Sequence, residues 1–271
     1  MRRIKMMGLC LVAVLAVAAV AVSSASAALP EYKVCTKAAK VGKTFTGKFS
    51  DKTCATSEPK GEGKYELAGW ESAKKKGFKG KNGVSTLDSY IPENEATPWT
   101  GGTVAGVVQC KSGKSAGEIT GPKTSTVTVE FKTCTSEGKK CTSSGQKTGT
   151  IKTALLKATL GNISGGVGSD VESVSGGPSA QFSCEGLEVV TVGSVIGVNS
   201  GNINKINKEG TQTFAVNGKG GQEVVFGEFP PSPVTGEAHF LVSKITPPGV
   251  ELPSGQSTVS TLKGEALEIA D

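Results

Sequence analysis

Between Cys110 and Cys141 the chain reads CKSGKSAGEITGPKTSTVTVEFKTCTSEGKKC, and its centre alternates without a break. Val127, Val129 and Phe131 fall on one side, and Thr126, Thr128, Glu130 and Lys132 fall on the other. Successive side chains of an extended strand point to opposite faces, so this period of two predicts a half-buried strand. Ser136-Glu137-Gly138-Lys139 then supplies a turn that sends the chain back, with Cys134 and Cys141 flanking it. A strand with one apolar face needs partners along its edges and cover over that face.

Such partners appear as short extended runs between turn residues. Residues 102–110, 118–120, 148–162, 181–184, 238–245, 257–262 and 266–269 read as strands, the last two as a hairpin about Lys263-Gly264. Residues 211–216 and 222–229 form a further hairpin signal. Residues 187–198 are almost continuously apolar, the pattern of a central strand covered on both faces. The Gly- and Ser-rich stretch 164–178 and the polar stretch 199–210 are expected as loops. Residues 71–76 are the best helix candidate, and they stop at Gly77. The prediction is an all-β chain: an antiparallel β-sandwich or barrel-like domain over 101–271, preceded by a small disulfide-stapled β module over 28–100. In that module residues 43–49 and 64–68 are read as paired strands, and 84–90 as a third strand.

The first 27 residues carry a different message. Arg2, Arg3 and Lys5 precede an apolar run of 15 residues, 8–22, and Ala25-Ser26-Ala27 follows. This is the order of a secretory signal peptide with its cleavage site. The run falls short of the roughly 20 residues a spanning helix needs. The expectation is a secreted, extracellular chain beginning at Ala28. Without Arg2, Arg3 and Lys5 there remain 27 basic residues, all lysine, against 24 acids, so the net charge falls from +6 to +3. Bidentate reading of guanine or phosphate favours arginine, so specific nucleic-acid recognition is not expected.

Export gives the cysteines a meaning. Apart from Cys10 there are six, and an even number in an exported chain reads as a disulfide framework. Of the 15 possible pairings, Cys35–Cys54, Cys134–Cys141 and Cys110–Cys184 are expected: two join sequence neighbours and the third takes what remains. Cys134 is out of phase with Val127, Val129 and Phe131, so it faces the core only if a bulge intervenes. Metal ligation is the rival reading. It lacks any C-x2-C pair, and a single histidine cannot complete a Cys2His2 set.

Catalytic patterns are thin. Gly113-Lys114-Ser115-Ala116-Gly117 matches G-x-S-x-G, and Asp170 and His239 follow in a hydrolase order. A nucleophile elbow needs a helix next, whereas Glu118-Ile119-Thr120-Gly121-Pro122 is a strand and a turn. The same residues fail as a P-loop, because Val108 stands where glycine is required. His239 is expected as a solvated strand residue. His239 is the only histidine, so if it is merely solvated most acid–base, triad and zinc mechanisms are lost in one step. Asn199, Asn202, Asn204, Asn207 and Glu209 offer oxygens without EF-hand spacing, so turn chemistry accounts for them better than calcium. No cofactor is implied. Lys74, Lys75, Lys76, Lys79 and Lys81 form a basic run that can attract an anionic envelope polymer by charge, or simply be solvated.

Several stretches together resemble a group of uncharacterised secreted proteins of actinobacteria. They are Tyr32-Lys33-Val34-Cys35, Lys40-Val41-Gly42-Lys43, Thr46-Gly47-Lys48-Phe49 on to Cys54, Cys110-Lys111-Ser112, the run from Gly117 to Thr124, Cys184-Glu185-Gly186, and Gly193-Ser194-Val195-Ile196-Gly197. The resemblance implies export and a shared β fold, and it brings no activity. The expected function is non-enzymatic: an extracellular or envelope-associated structural or binding protein. The alternative is a secreted hydrolase using carboxylates or Ser115.

Overall fold

The computed structural model describes residues 28–70, 76–230 and 238–271. Residues 1–27, expected as a signal peptide, together with Lys74, Lys75 and most of the helix candidate, lie outside the described residues. Among those described there are seventeen strands, one turn of 3-10 helix (Pro98–Thr100) and no helix long and apolar enough to cross a membrane. The strands of the first part are β1 (Glu31–Lys37), β2 (Lys40–Val41), β3 (Thr44–Phe45), β4 (Tyr65–Gly69), β5 (Lys76–Asn82) and β6 (Ser85–Pro92). The central ones are β7 (Gly102–Ile119), β8 (Thr124–Ser136), β9 (Lys139–Thr142), β10 (Thr150–Lys152), β11 (Leu156–Ile163), β12 (Gly166–Ser173) and β13 (Ala180–Cys184). The last are β14 (Leu187–Ser200), β15 (Asn207–Phe214), β16 (Leu241–Thr246) and β17 (Val250–Ala270).

Four long strands, β7, β8, β14 and β17, run the length of the molecule, and shorter strands fill the spaces between them. At one end the antiparallel pairing runs β8-β7-β5-β17-β15-β14-β12-β11 and returns to β8. At the other end it runs β8-β7-β6-β17-β16-β14-β13-β9 and again returns to β8. Each end is a ring of eight strands, and closure removes the unpaired edges of an open sheet. The strand read at 187–198 is central as its apolar run implies, with β12, β13, β15 and β16 all bonded to it.

The interior has three zones. One end holds four cysteines with Ile151, Phe182 and Val189. The opposite end holds Tyr32, Val34, Trp70, Ile119, Leu160, Val167 and Ile269. Between them lie Leu156, Ala158, Val171, Val195, Phe214 and Leu241. On β6, β17 and β16 the inward positions carry serines that bond one another: Ser89 to Ser254 at 3.0 Å and Ser254 to Ser243 at 2.7 Å. Small hydroxyls let facing strands approach while leaving no polar atom unmet.

Several expectations are corrected. The Gly- and Ser-rich stretch after 164 is strand β12, paired with β11 from Leu156↔Ser173 to Ile163↔Gly166. Small residues are needed there: a Cβ on Gly168 would sit 2.7 Å from Ile163 Cγ2 and 3.0 Å from Ile196 Cγ2. The stretch 199–210 is likewise part strand, at both its ends. The hairpin about Lys263-Gly264 does not form; β17 runs straight through, taking up β15 and then β1 as partners. The 211–229 hairpin is reduced to β15 and a Val216↔Gln222 bridge.

The sheet also crosses the boundary expected at residue 100. β5 and β6 pair with β7 and β17 inside the rings, and β1 pairs with both β17 and β4. The segment read at 43–49 pairs with the start of the strand read at 64–68 through the Gly47↔Gly63 and Phe49↔Tyr65 bridges. Cys35–Cys54 is present, with its Cα atoms 5.6 Å apart. Its loop is knitted by Asp51, which accepts from the Thr53 hydroxyl and from the backbone N–H groups of Thr53, Ala55 and Thr56. These donors, the Thr53 hydroxyl foremost, hold the Asp51 carboxyl well below the usual carboxylate range.

The other two disulfides differ from expectation: Cys110–Cys134 and Cys141–Cys184. The four cysteines lie in one row across adjacent strands, in the order Cys110 (β7), Cys134 (β8), Cys141 (β9), Cys184 (β13). The expected scheme would bond the middle two and leave the outer two three strand spacings apart. That is roughly 14 Å, twice what a disulfide spans. The phase of Cys134 is set at Thr133. Thr133 takes φ +55°, and the Cys134 N–H donates to Gly149 O at 2.8 Å beyond the Thr150↔Lys132 pair. This left-handed residue turns the next side chain inward, while the register with β7 continues unbroken from Gln109↔Thr135 to Ile119↔Ser125.

Candidate binding site in the barrel lumen

Inward alternation along the long strands builds a cavity of about 190 Å³ between the cysteine end and the Tyr32 end. Its wall is mainly Leu87, Val127, Val129, Phe131, Val171 and Phe214. The alternating residues of the central strand, Val127, Val129 and Phe131, thus face the lumen as their spacing predicts. Charged residues reach it only at one side, where Lys208, Lys263 and Glu265 are exposed. There the β5–β17 ladder stops at Lys79↔Lys263, and β17 leaves β5 to pair with β1. Phe78 lies against Gly264 at this point, and Lys76 pairs with Glu265.

Most polar groups facing the cavity have partners. Ser85 and Thr258 share a hydrogen bond of 2.7 Å, and Asn199 Nδ2 donates to Ser169 Oγ at 2.8 Å. Two do not: Asn82 Oδ1 and Ser115 Oγ are buried without a hydrogen-bond partner. Their residues are 6% and 7% exposed. Both sit on the β5–β7 pair, where Asn82 opposes Gly113 and Gly80 opposes Ser115. The glycines make room. A Cβ on Gly113 would lie 3.2 Å from Asn82 Cβ, and one on Gly80 would lie 2.1 Å from Ser115 Oγ.

The structure does not gather Ser115, Asp170 and His239. Ser115 faces the lumen from mid-strand, whereas Asp170, between lumen-facing Ser169 and Val171, points outward. His239 precedes β16 rather than lying on a strand, and it is not simply solvated. Its Nδ1 lies 3.2 Å from Asp170 Oδ1 and 3.1 Å from Ser194 Oγ, and its ring meets Phe229 at 5.3 Å. A triad places the nucleophile and the carboxylate on opposite ring nitrogens; here both contacts fall on one.

The asparagine-rich stretch is spent on local bonds: Asn204 Oδ1 accepts from Asp271 N at 3.0 Å, and Glu209 pairs with Lys263 at 2.6 Å. Of the lysine run, Lys76 is paired with Glu265 and lies 6.0 Å from the Trp70 ring. Lys79 and Lys81 point outward beside Lys263 and Lys114. Lys114 pairs with Glu130 at 3.3 Å, so acids are interspersed in this face.

The pair Asn82 and Ser115 was not singled out as a unit by sequence. Asn82 precedes glycine and reads as a turn residue, and Ser115 reads as part of a glycine-rich turn. Only the register of two strands brings them together. Comparison with protein-family models, curated proteins and solved structures finds no match for the chain.

Proposed function

We propose that this is an exported, non-enzymatic binding protein that holds a small apolar molecule inside its barrel. The observation that carries the reading is an apolar cavity of about 190 Å³ enclosed by strands that close into rings. Native interiors contain few voids larger than a water molecule, because empty space forfeits dispersion contacts. A cavity of about 150 Å³ with an aliphatic and aromatic wall admits a benzene-sized molecule. Three disulfides suit maturation in an oxidising compartment, which agrees with the secretory character of residues 1–27. The outer lysines offer anionic envelope polymers only a face already interspersed with acids, so the reading rests on the lumen.

The test is titration of the protein with toluene, followed by calorimetry and by NMR of the lumen methyl groups. Saturable binding is expected, with shifts at Val127, Val171 and Leu156. The variant Ala158→Phe, which places a ring in the cavity, is expected to abolish it while far-UV circular dichroism is unchanged. Failure of wild-type protein to bind any member of a panel of neutral ring-sized molecules sinks the reading.

A further inference from the structure

Resting on that reading, the geometry points to a ligand that is uncharged and carries a single hydroxyl: a phenol or short-chain alcohol whose oxygen sits between Asn82 and Ser115. A buried polar atom without a partner costs about 1–3 kcal/mol, and two such atoms, on neighbouring strands and on residues that both line one cavity, call for a cause. Asn82 Oδ1 is an acceptor that lacks a donor, and Ser115 Oγ carries a proton and lone pairs that lack a partner. A hydroxyl is complementary to both, because it donates to the amide oxygen and accepts from the serine.

Diagonal positions on paired strands lie about 7–8 Å apart at the backbone, so their side-chain tips can converge on one oxygen. Gly80 and Gly113 are part of the device, since any side chain at 80 would occupy the place of Ser115 Oγ. Charge is excluded by the wall. The ionisable side chains of the lining, Lys208, Lys263 and Glu265, stand at the solvent side, and Lys263 and Glu265 already have ion-pair partners. An ionised head group at Asn82 would be stripped of water with no countercharge, which is costly. Size sets the remainder: about 190 Å³ accommodates one ring or a short alkyl chain and not a lipid tail.

The experiment compares p-cresol with toluene, which differ by one hydroxyl. In a wholly apolar cavity toluene binds tighter, because p-cresol loses its hydration without compensation. With Asn82 and Ser115 as partners the order reverses, and p-cresol is expected to bind at least tenfold tighter than toluene to the oxidised wild-type protein. Asn82→Leu and, separately, Ser115→Ala are expected to cut the p-cresol affinity about tenfold and leave toluene within twofold. Ser115→Ala removes only an oxygen, so it keeps the test decisive if Asn82→Leu does not fold. Toluene binding as tightly as p-cresol to wild type overturns the hydroxyl assignment and leaves the lumen reading standing. Binding of neither compound overturns both.

Discussion

Tyr90 is wholly enclosed, 0% exposed, and its hydroxyl has no hydrogen-bond partner. Burial pushes the phenol up to about 12, from an ordinary value of 10.0. A group whose folded pKa is raised contributes stability that is complete below its unfolded pKa and is lost as pH rises through the folded one. Tyr90 therefore weakens the fold between about pH 10 and 12, where the unfolded chain releases the proton more readily. Tyr90→Phe removes an unsatisfied group without leaving a void. It is expected to raise stability by about 1 kcal/mol at pH 7 and to flatten the fall between pH 10 and 12. Urea midpoints at pH 7 and pH 11 check both. A loss of stability at pH 7 would mean that the hydroxyl is bonded in the native state.

At the scale of elements, the disulfides are staples across strands rather than across turns. Cys141–Cys184 closes 43 residues and Cys110–Cys134 closes 24. In the chain-entropy model these loops correspond to about 4 and about 3.5 kcal/mol. Replacing Cys141 and Cys184 together by alanine is expected to cost about 4 kcal/mol of unfolding free energy. Replacing Cys110 and Cys134 together is expected to cost slightly less. Peptide mapping without reduction must return those two pairs, and a Cys134–Cys141 peptide would contradict the row of four. Much of this level was legible in sequence. The alternation at 125–132, the tight turn at Glu137-Gly138 (φ +50° and +79°) and the apolar run of β14 all name their elements. Pairing was not legible, because it depends on register. One left-handed residue, Thr133, rotates Cys134 inward, and Cys134 then bonds a neighbouring strand that composition does not reveal. β12 was missed for a related reason: its glycines look like loop but serve close approach to Ile163 and Ile196.

For the whole molecule, the question is whether the N-terminal segment is a unit of its own. Its composition says so: lysines, a local disulfide, short strands. The contacts argue otherwise. β1 completes the pairing of the last turn of β17, from Glu31↔Ala270 to Val34↔Leu267. Tyr32 N donates to Pro122 O at 2.7 Å, and Trp70 N to Tyr32 O at 3.0 Å. Tyr32, Val34 and Trp70 close the end of the lumen on Ile119, Leu160 and Ile269. A segment that seals the core cannot leave without exposing it, so the chain is expected to unfold in one transition. The two tryptophans sit at opposite ends and report on this directly: Trp70 in the seal, and Trp99 against Phe226 and Phe240 at 6.0 and 5.8 Å. In Trp99→Phe only the seal is observed, and in Trp70→Phe only the far end. Each variant is expected to show one urea midpoint, the same by fluorescence as by far-UV circular dichroism. An earlier fluorescence transition confined to Trp99→Phe would mean that the N-terminal segment opens first and that the seal is a door to the cavity. Coincident transitions mean that the seal and the rest of the barrel open only together.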